Sequence, residues 1–118
     1  MAAAGGLDHE QERFEQKSGC HGLLEYRPAT QEFLLSDRAR DTLGASRTDL
    51  SLDRLLGSII PPDREAVRRL FAEPHRLHDS DVQFRIRHPF GLRQLWLYFN
   101  GCRSGGQVIR AWCLDLGA

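Results

Sequence analysis

Two stretches near the end of the chain carry large apolar groups on both faces of an extended backbone. In Leu95-Trp96-Leu97-Tyr98-Phe99 every position is apolar or aromatic, and between Val108 and Leu116 the set Ile109, Ala111, Cys113 alternates with Trp112 and Leu114. Successive side chains of a strand point to opposite faces. A strand that is apolar on both must therefore lie inside a sheet and be covered from two sides. With 118 residues the chain can build one core and bury roughly two-thirds of its unfolded surface, but it is too short for two ordinary domains.

The rest of the sequence supplies one cover. Val82, Phe84 and Ile86 alternate with charged and polar residues, so this strand has one wet face. Pro89-Phe90-Gly91 turns it into the Leu95–Phe99 strand, and Asn100 to Gly106 reads as a loop before the last strand. Upstream, His21–Tyr26 and Glu32–Leu35 form a hairpin around Arg27-Pro28-Ala29-Thr30-Gln31. Short helices fill the middle. Ser36 caps Asp37–Leu43 and Gly44 stops it. Ser51 caps Leu52–Leu56. Pro61-Pro62-Asp63 opens a third helix, whose buried stripe is Val67, Leu70 and Phe71. Residues 1–18 read as a flexible leader followed by an amphipathic helix over 7–17, anchored by Leu7 and Phe14, and residues 19–118 as the folded domain. The layout is α+β, with helices segregated between hairpins.

Composition narrows the function classes. Sixteen basic and sixteen acidic residues give zero formal net charge, against a nucleic-acid partner held by a broad positive field. No apolar run approaches the roughly 20 residues of a membrane-spanning helix. Cys20, Cys102 and Cys113 are widely spaced and odd in number, neither a disulfide framework nor a zinc pattern, so a cytoplasmic location is expected. Cys20-His21 is no catalytic dyad, because neighbours on a strand diverge. His9, His88 and Cys102 form no pattern, and no convergent polar groups suggest an enzyme.

Four segments in order resemble a PAS domain over about residues 19–117. They are Gly22 through Ser36 with the Leu43-Gly44 helix end, the box Ile59-Ile60-Pro61-Pro62-Asp63-Arg64, the hairpin Phe84-Arg85-Ile86-Arg87 through Gly91 to Trp96, and the ending Leu114-Asp115-Leu116. Departures fall at turns and caps. The box histidine is Ile60 and its first acid is Pro62; the hairpin's Asp-Gly is Phe90-Gly91; the closing threonine is Gly117. The resemblance implies a five-stranded antiparallel sheet in the order second, first, fifth, fourth, third, with short helices on one face and an N-terminal helix. It also implies a sensory or interaction module followed by an output domain, such as a histidine kinase or a cyclic-dinucleotide enzyme.

The resemblance leaves the cofactor open. The family's flavin-adduct cysteine motif is absent, and the long helix has none of the histidines that hold haem in this family. His75 and His78 lie beyond Pro74 and read as loop residues. A pocket under the helices would be lined by Leu43, Leu55, Val67, Leu70, Phe71 and Phe84, and by Ile86, Leu97, Phe99, Ile109, Ala111 and Cys113. That space either takes a small apolar ligand or is filled core. On the opposite face Trp96, Tyr98, Trp112 and Leu114 project together. Such a cluster rarely stays exposed, so these four, with Leu7 and Phe14, are the expected interface of a homodimer.

Overall fold

The computed structural model describes residues 21–103 and 107–117. The anticipated N-terminal leader and helix, with Leu7 and Phe14, lie outside the described residues. Six strands form one antiparallel sheet in the order β3-β2-β1-β6-β5-β4. The strands are β1 His21–Arg27, β2 Glu32–Leu35, β3 Asp49–Ser51, β4 Asp81–His88, β5 Gly91–Arg103 and β6 Val108–Gly117. Between the two halves of the sheet run α1 Asp37–Leu43, α2 Leu52–Ser58, α3 Pro61–Phe71 and a 3-10 helix, Pro74–Asp79.

The expected five strands fall in the expected order, and β3 is the correction. It adds to the free edge of β2 through Glu32↔Ser51, Phe33↔Leu50 and Leu34↔Asp49. Three residues are too few for alternation to register in a sequence. What makes them a strand is the edge of β2, whose unpaired groups they satisfy. The second correction concerns Asn100 to Gly106. Strand β5 continues to Arg103 opposite Val108, with a register shift between Phe99 and Gly101. Gly101 has φ +140°, which a glycine reaches at little cost. Asn-Gly therefore marks a bulge within the strand here instead of its end.

The helix ends form as their chemistry requires. The Ser36 Oγ accepts from the Ala39 backbone N–H at 3.2 Å, and the same oxygen accepts from the Leu23 N–H at 3.1 Å. One buried hydroxyl thus caps α1 and ties it to β1. Gly44 closes α1 in the left-handed conformation, φ +70°. Ser51 caps α2 through the Arg54 N–H.

The box residues hold α3 against the outer edge of β4. Ile59 bridges to Ile86. The Ile60 N–H donates to the Arg85 carbonyl at 3.0 Å. The Asp63 carboxylate accepts from the Arg85 N–H and Nε, each at 2.9 Å, and from Nη2 at 2.8 Å. An edge that could template pairing with another chain is thereby closed at its centre. The Arg85 guanidinium, bonded to Asp63, holds that carboxyl below its ordinary range, although partial burial opposes the shift. A carboxyl with a depressed folded pKa stabilises above its unfolded value near 3.8 and loses that contribution as pH falls through the folded value. Asp63→Asn is therefore expected to lower Tm by a few degrees at neutral pH, the pair being partly solvated. In thermal melts across pH, the gap to wild type narrows below about pH 4. A gap that widens in acid would contradict this.

Candidate functional site

The sheet has two working faces. On the inner face Leu24, Tyr26, Phe33, Leu35, Leu95, Leu97, Phe99, Ile109, Ala111 and Cys113 are buried beneath the helices. Eleven of the twelve anticipated pocket residues join this one core. They are Leu43, Leu55, Val67, Phe71, Phe84, Ile86, Leu97, Phe99, Ile109, Ala111 and Cys113. The twelfth, Leu70, is half-buried: it packs against the margin of this core and also lines a shallow groove of about 280 Å³ with Ala66, Arg69, Glu73, Arg76 and Ser80.

At the centre of the interior four aromatic rings meet. Phe71 of α3 packs edge-on against Tyr26, Phe33 and Phe99, with ring centroids 4.8, 5.5 and 5.7 Å apart, and Tyr26 lies 4.7 Å from Phe33. Edge-to-face contacts at these distances are favourable beyond area burial. Burial pushes the Tyr26 phenol up. Tyr26 and Phe33 were not among the anticipated lining residues. Their alternation in the first hairpin was the available signal, but which strand faces α3 depends on sheet order.

The outer face carries the anticipated cluster. Trp96 stands opposite Leu114 and Tyr98 opposite Trp112 in the β5–β6 register. The Trp96 and Tyr98 ring centroids are 4.7 Å apart, and Tyr98 and Trp112 stack at 6.4 Å. All four side chains are half-buried. The Trp96 Nε1–H donates to Asp81 at 2.8 Å, which fixes the indole over β4. Leu23 lies opposite Trp112 and Glu25 opposite Arg110 on the same face, and both are buried. The Glu25 carboxylate is 3.9 Å from the Arg110 guanidinium. A buried carboxylate here was not legible from sequence, since the pairing needs the β1–β6 register.

Where β6 ends, Asp115 accepts from Arg93 Nη2 at 2.9 Å and Nε at 3.2 Å, while its other oxygen takes the Gly117 N–H at 2.7 Å. The two segments that resembled the family's hairpin and its ending are thus joined by one ion pair. His75 and His78 lie on the 3-10 helix, not in a loop, and off α3; His78 contacts Asp79 at 3.1 Å. Cys113 is buried in the core and Cys102 is exposed. No helix among the described residues is long and apolar enough to cross a membrane.

No family model and no curated protein matches the sequence. Solved structures do match, 71 chains in all. One is a sensory box histidine kinase/response regulator from Burkholderia thailandensis: TM-score 0.67, 21% identity, 89% of this chain and 83% of that one. A domain of a putative light and redox sensing histidine kinase from Haloarcula marismortui superposes with TM-score 0.56 and 20% identity, over 90% of this chain and 98% of that one. The PAS domain of an HTR-like protein from the same organism gives TM-score 0.55 at 12% identity, over 91% and 98%. The chain has the PAS fold. At these identities the likeness is one of backbone path.

Proposed function

We propose that this PAS-fold chain is a non-enzymatic sensory and signal-transduction module of a larger signalling protein, a sensor histidine kinase or a cyclic-dinucleotide enzyme. It acts by changing its contacts with a second copy. The carrying observation is the outer-face cluster of Trp96, Tyr98, Trp112 and Leu114 on the neighbouring strands β5 and β6, where the Tyr98 ring contacts both indoles. Burying each such group fully is favourable by roughly 1.5–3 kcal/mol, and a two-fold related copy offers a matching surface. The histidine-kinase structures that share the fold support the signalling reading.

The close ring contacts of Tyr26, Phe33, Phe71 and Phe99 favour a filled interior over a standing small-molecule pocket. In the alternative, a small apolar ligand sits among the same side chains and would be seen as a co-purifying mass in native mass spectrometry. Size-exclusion chromatography with light scattering tests the leading reading. Wild type is expected to run as a dimer, and Trp112→Glu as a folded monomer with at least tenfold weaker association, since a buried unpaired charge costs more than about 1.4 kcal/mol. A wild-type protein that stays monomeric at high concentration sinks the dimer.

A further inference from the structure

The two-residue turn between β4 and β5 meets the end of α1 through Pro89, packed on Gly44, and through the His88 side chain. The His88 Nε2 lies 2.9 Å from the Asp41 carbonyl in the last turn of α1. The Nδ1 of the same ring accepts the backbone N–H of Phe90 at 3.2 Å. The packing behind it is close: a Cβ built on Gly44 would lie 2.6 Å from Pro89 and 3.0 Å from the His88 ring.

These partners fix the state of the ring. A backbone N–H can only donate and a carbonyl can only accept. Nδ1 must therefore be bare and Nε2 must carry the hydrogen, which is the neutral imidazole. Adding a proton places a hydrogen on Nδ1, directed at the Phe90 N–H. The Asp41 contact survives, and strengthens, because a cation suits a helix C-terminus. The contact to the turn cannot survive.

We infer that His88 is a proton-sensitive latch that ties the Phe90 end of the turn to α1 when neutral and releases that end, but not its own contact with the helix, when protonated. Histidine is the side chain whose ordinary titration falls nearest neutrality. The charged groups on α1 are Asp37 and Arg38 at its start and Arg40 and Asp41 at its end, the last two pairing at 3.6 Å; Arg47 and Asp49 after it pair at 2.9 Å. The strands contribute Arg87 of β4 and Arg93 of β5, the latter held by Asp115. The released turn carries Phe90, 89% exposed, whose ring lies 5.4 Å from that of His88, and it leads into Leu92, 49% exposed. Release therefore changes how two apolar groups are presented to solvent.

The test is the scalar coupling across the N–H···N bond between Phe90 N and His88 Nδ1, measured by NMR on the isotopically labelled chain. At about pH 8 the coupling is expected to be present. It is expected to vanish in step with titration of the ring's own Hε1 resonance, while the Ala45 amide, bonded to the Arg40 carbonyl at 2.9 Å, keeps its shift. In His88→Gln, which can accept and donate but not titrate there, the Phe90 amide is expected to hold one position across the same range. Absence of the coupling at the alkaline end overturns the latch. So does its persistence through the ring's titration, a ring that stays neutral until the fold is lost, or an equal pH response in His88→Gln.

Discussion

Gly22→Ala is expected to lower Tm by roughly ten degrees or more, and Gly22→Val to leave little folded protein at about 37 °C. A Cβ built on Gly22 would lie 2.6 Å from Ala39 Cα, 2.7 Å from Ala39 N and 2.9 Å from Ala39 Cβ. Two of those atoms are helix backbone, so relief requires moving all of α1 off β1. Overpacking of this kind costs about 1–3 kcal/mol or more, and each kcal/mol is about 4–8 °C for a domain near this size. The movement would also pull Ser36 from the Leu23 N–H it accepts. Adding Ala39→Gly removes only the Cβ contact and is expected to restore little. Gly57→Ala is the control: a Cβ at that position would meet nothing within 4 Å, and alanine favours the helix. Thermal melts of the four variants decide the matter. A Gly22→Ala protein as stable as wild type would mean that α1 does not press on β1 this closely.

Phe71→Ala is expected to cost about 3–5 kcal/mol of a total near 5–15. Phe71 is 2% exposed and touches three other rings, so the remaining walls cannot easily close on the space it leaves. In urea titrations the midpoint falls while the slope stays that of wild type. The void would be lined by apolar groups and stay dry, so saturating benzene is expected to raise the midpoint of the variant and leave wild type unchanged. A loss below about 1 kcal/mol with no benzene effect would contradict a filled interior. Benzene stabilising wild type equally would favour a standing pocket.

The helices were legible because their signals are local. Ser36 reaches an N–H three residues on, and Gly44 closes the helix it follows. The alternation of Val82, Phe84 and Ile86 likewise needs no partner to be read, and β4 follows it with Phe84 and Ile86 buried. Trp96, Tyr98, Trp112 and Leu114 could be placed on one face because the strand period is two; in the β5–β6 register Trp96 stands opposite Leu114 and Tyr98 opposite Trp112. By contrast, Asp63 and Arg85 are 22 residues apart, as are Arg93 and Asp115. Neither pair has any sequence mark that distinguishes it from other oppositely charged residues.

Sequence alone determined five of the six strands, the three α-helices with their Ser36, Gly44 and Ser51 caps, and the fact that the last two long strands must be covered on both sides. Those features depend on hydrogen bonds and side-chain directions within a few residues, or on apolar surface that water disfavours wherever it sits. Only the tertiary structure decided that Asp49–Ser51 is a strand, that β5 runs on past Gly101, that Gly22 meets Ala39, and that His88 reaches Asp41. Each of these depends on which atoms of distant segments come within about 3 Å. That is set by register and layer packing, where a one-residue slip exchanges every neighbour.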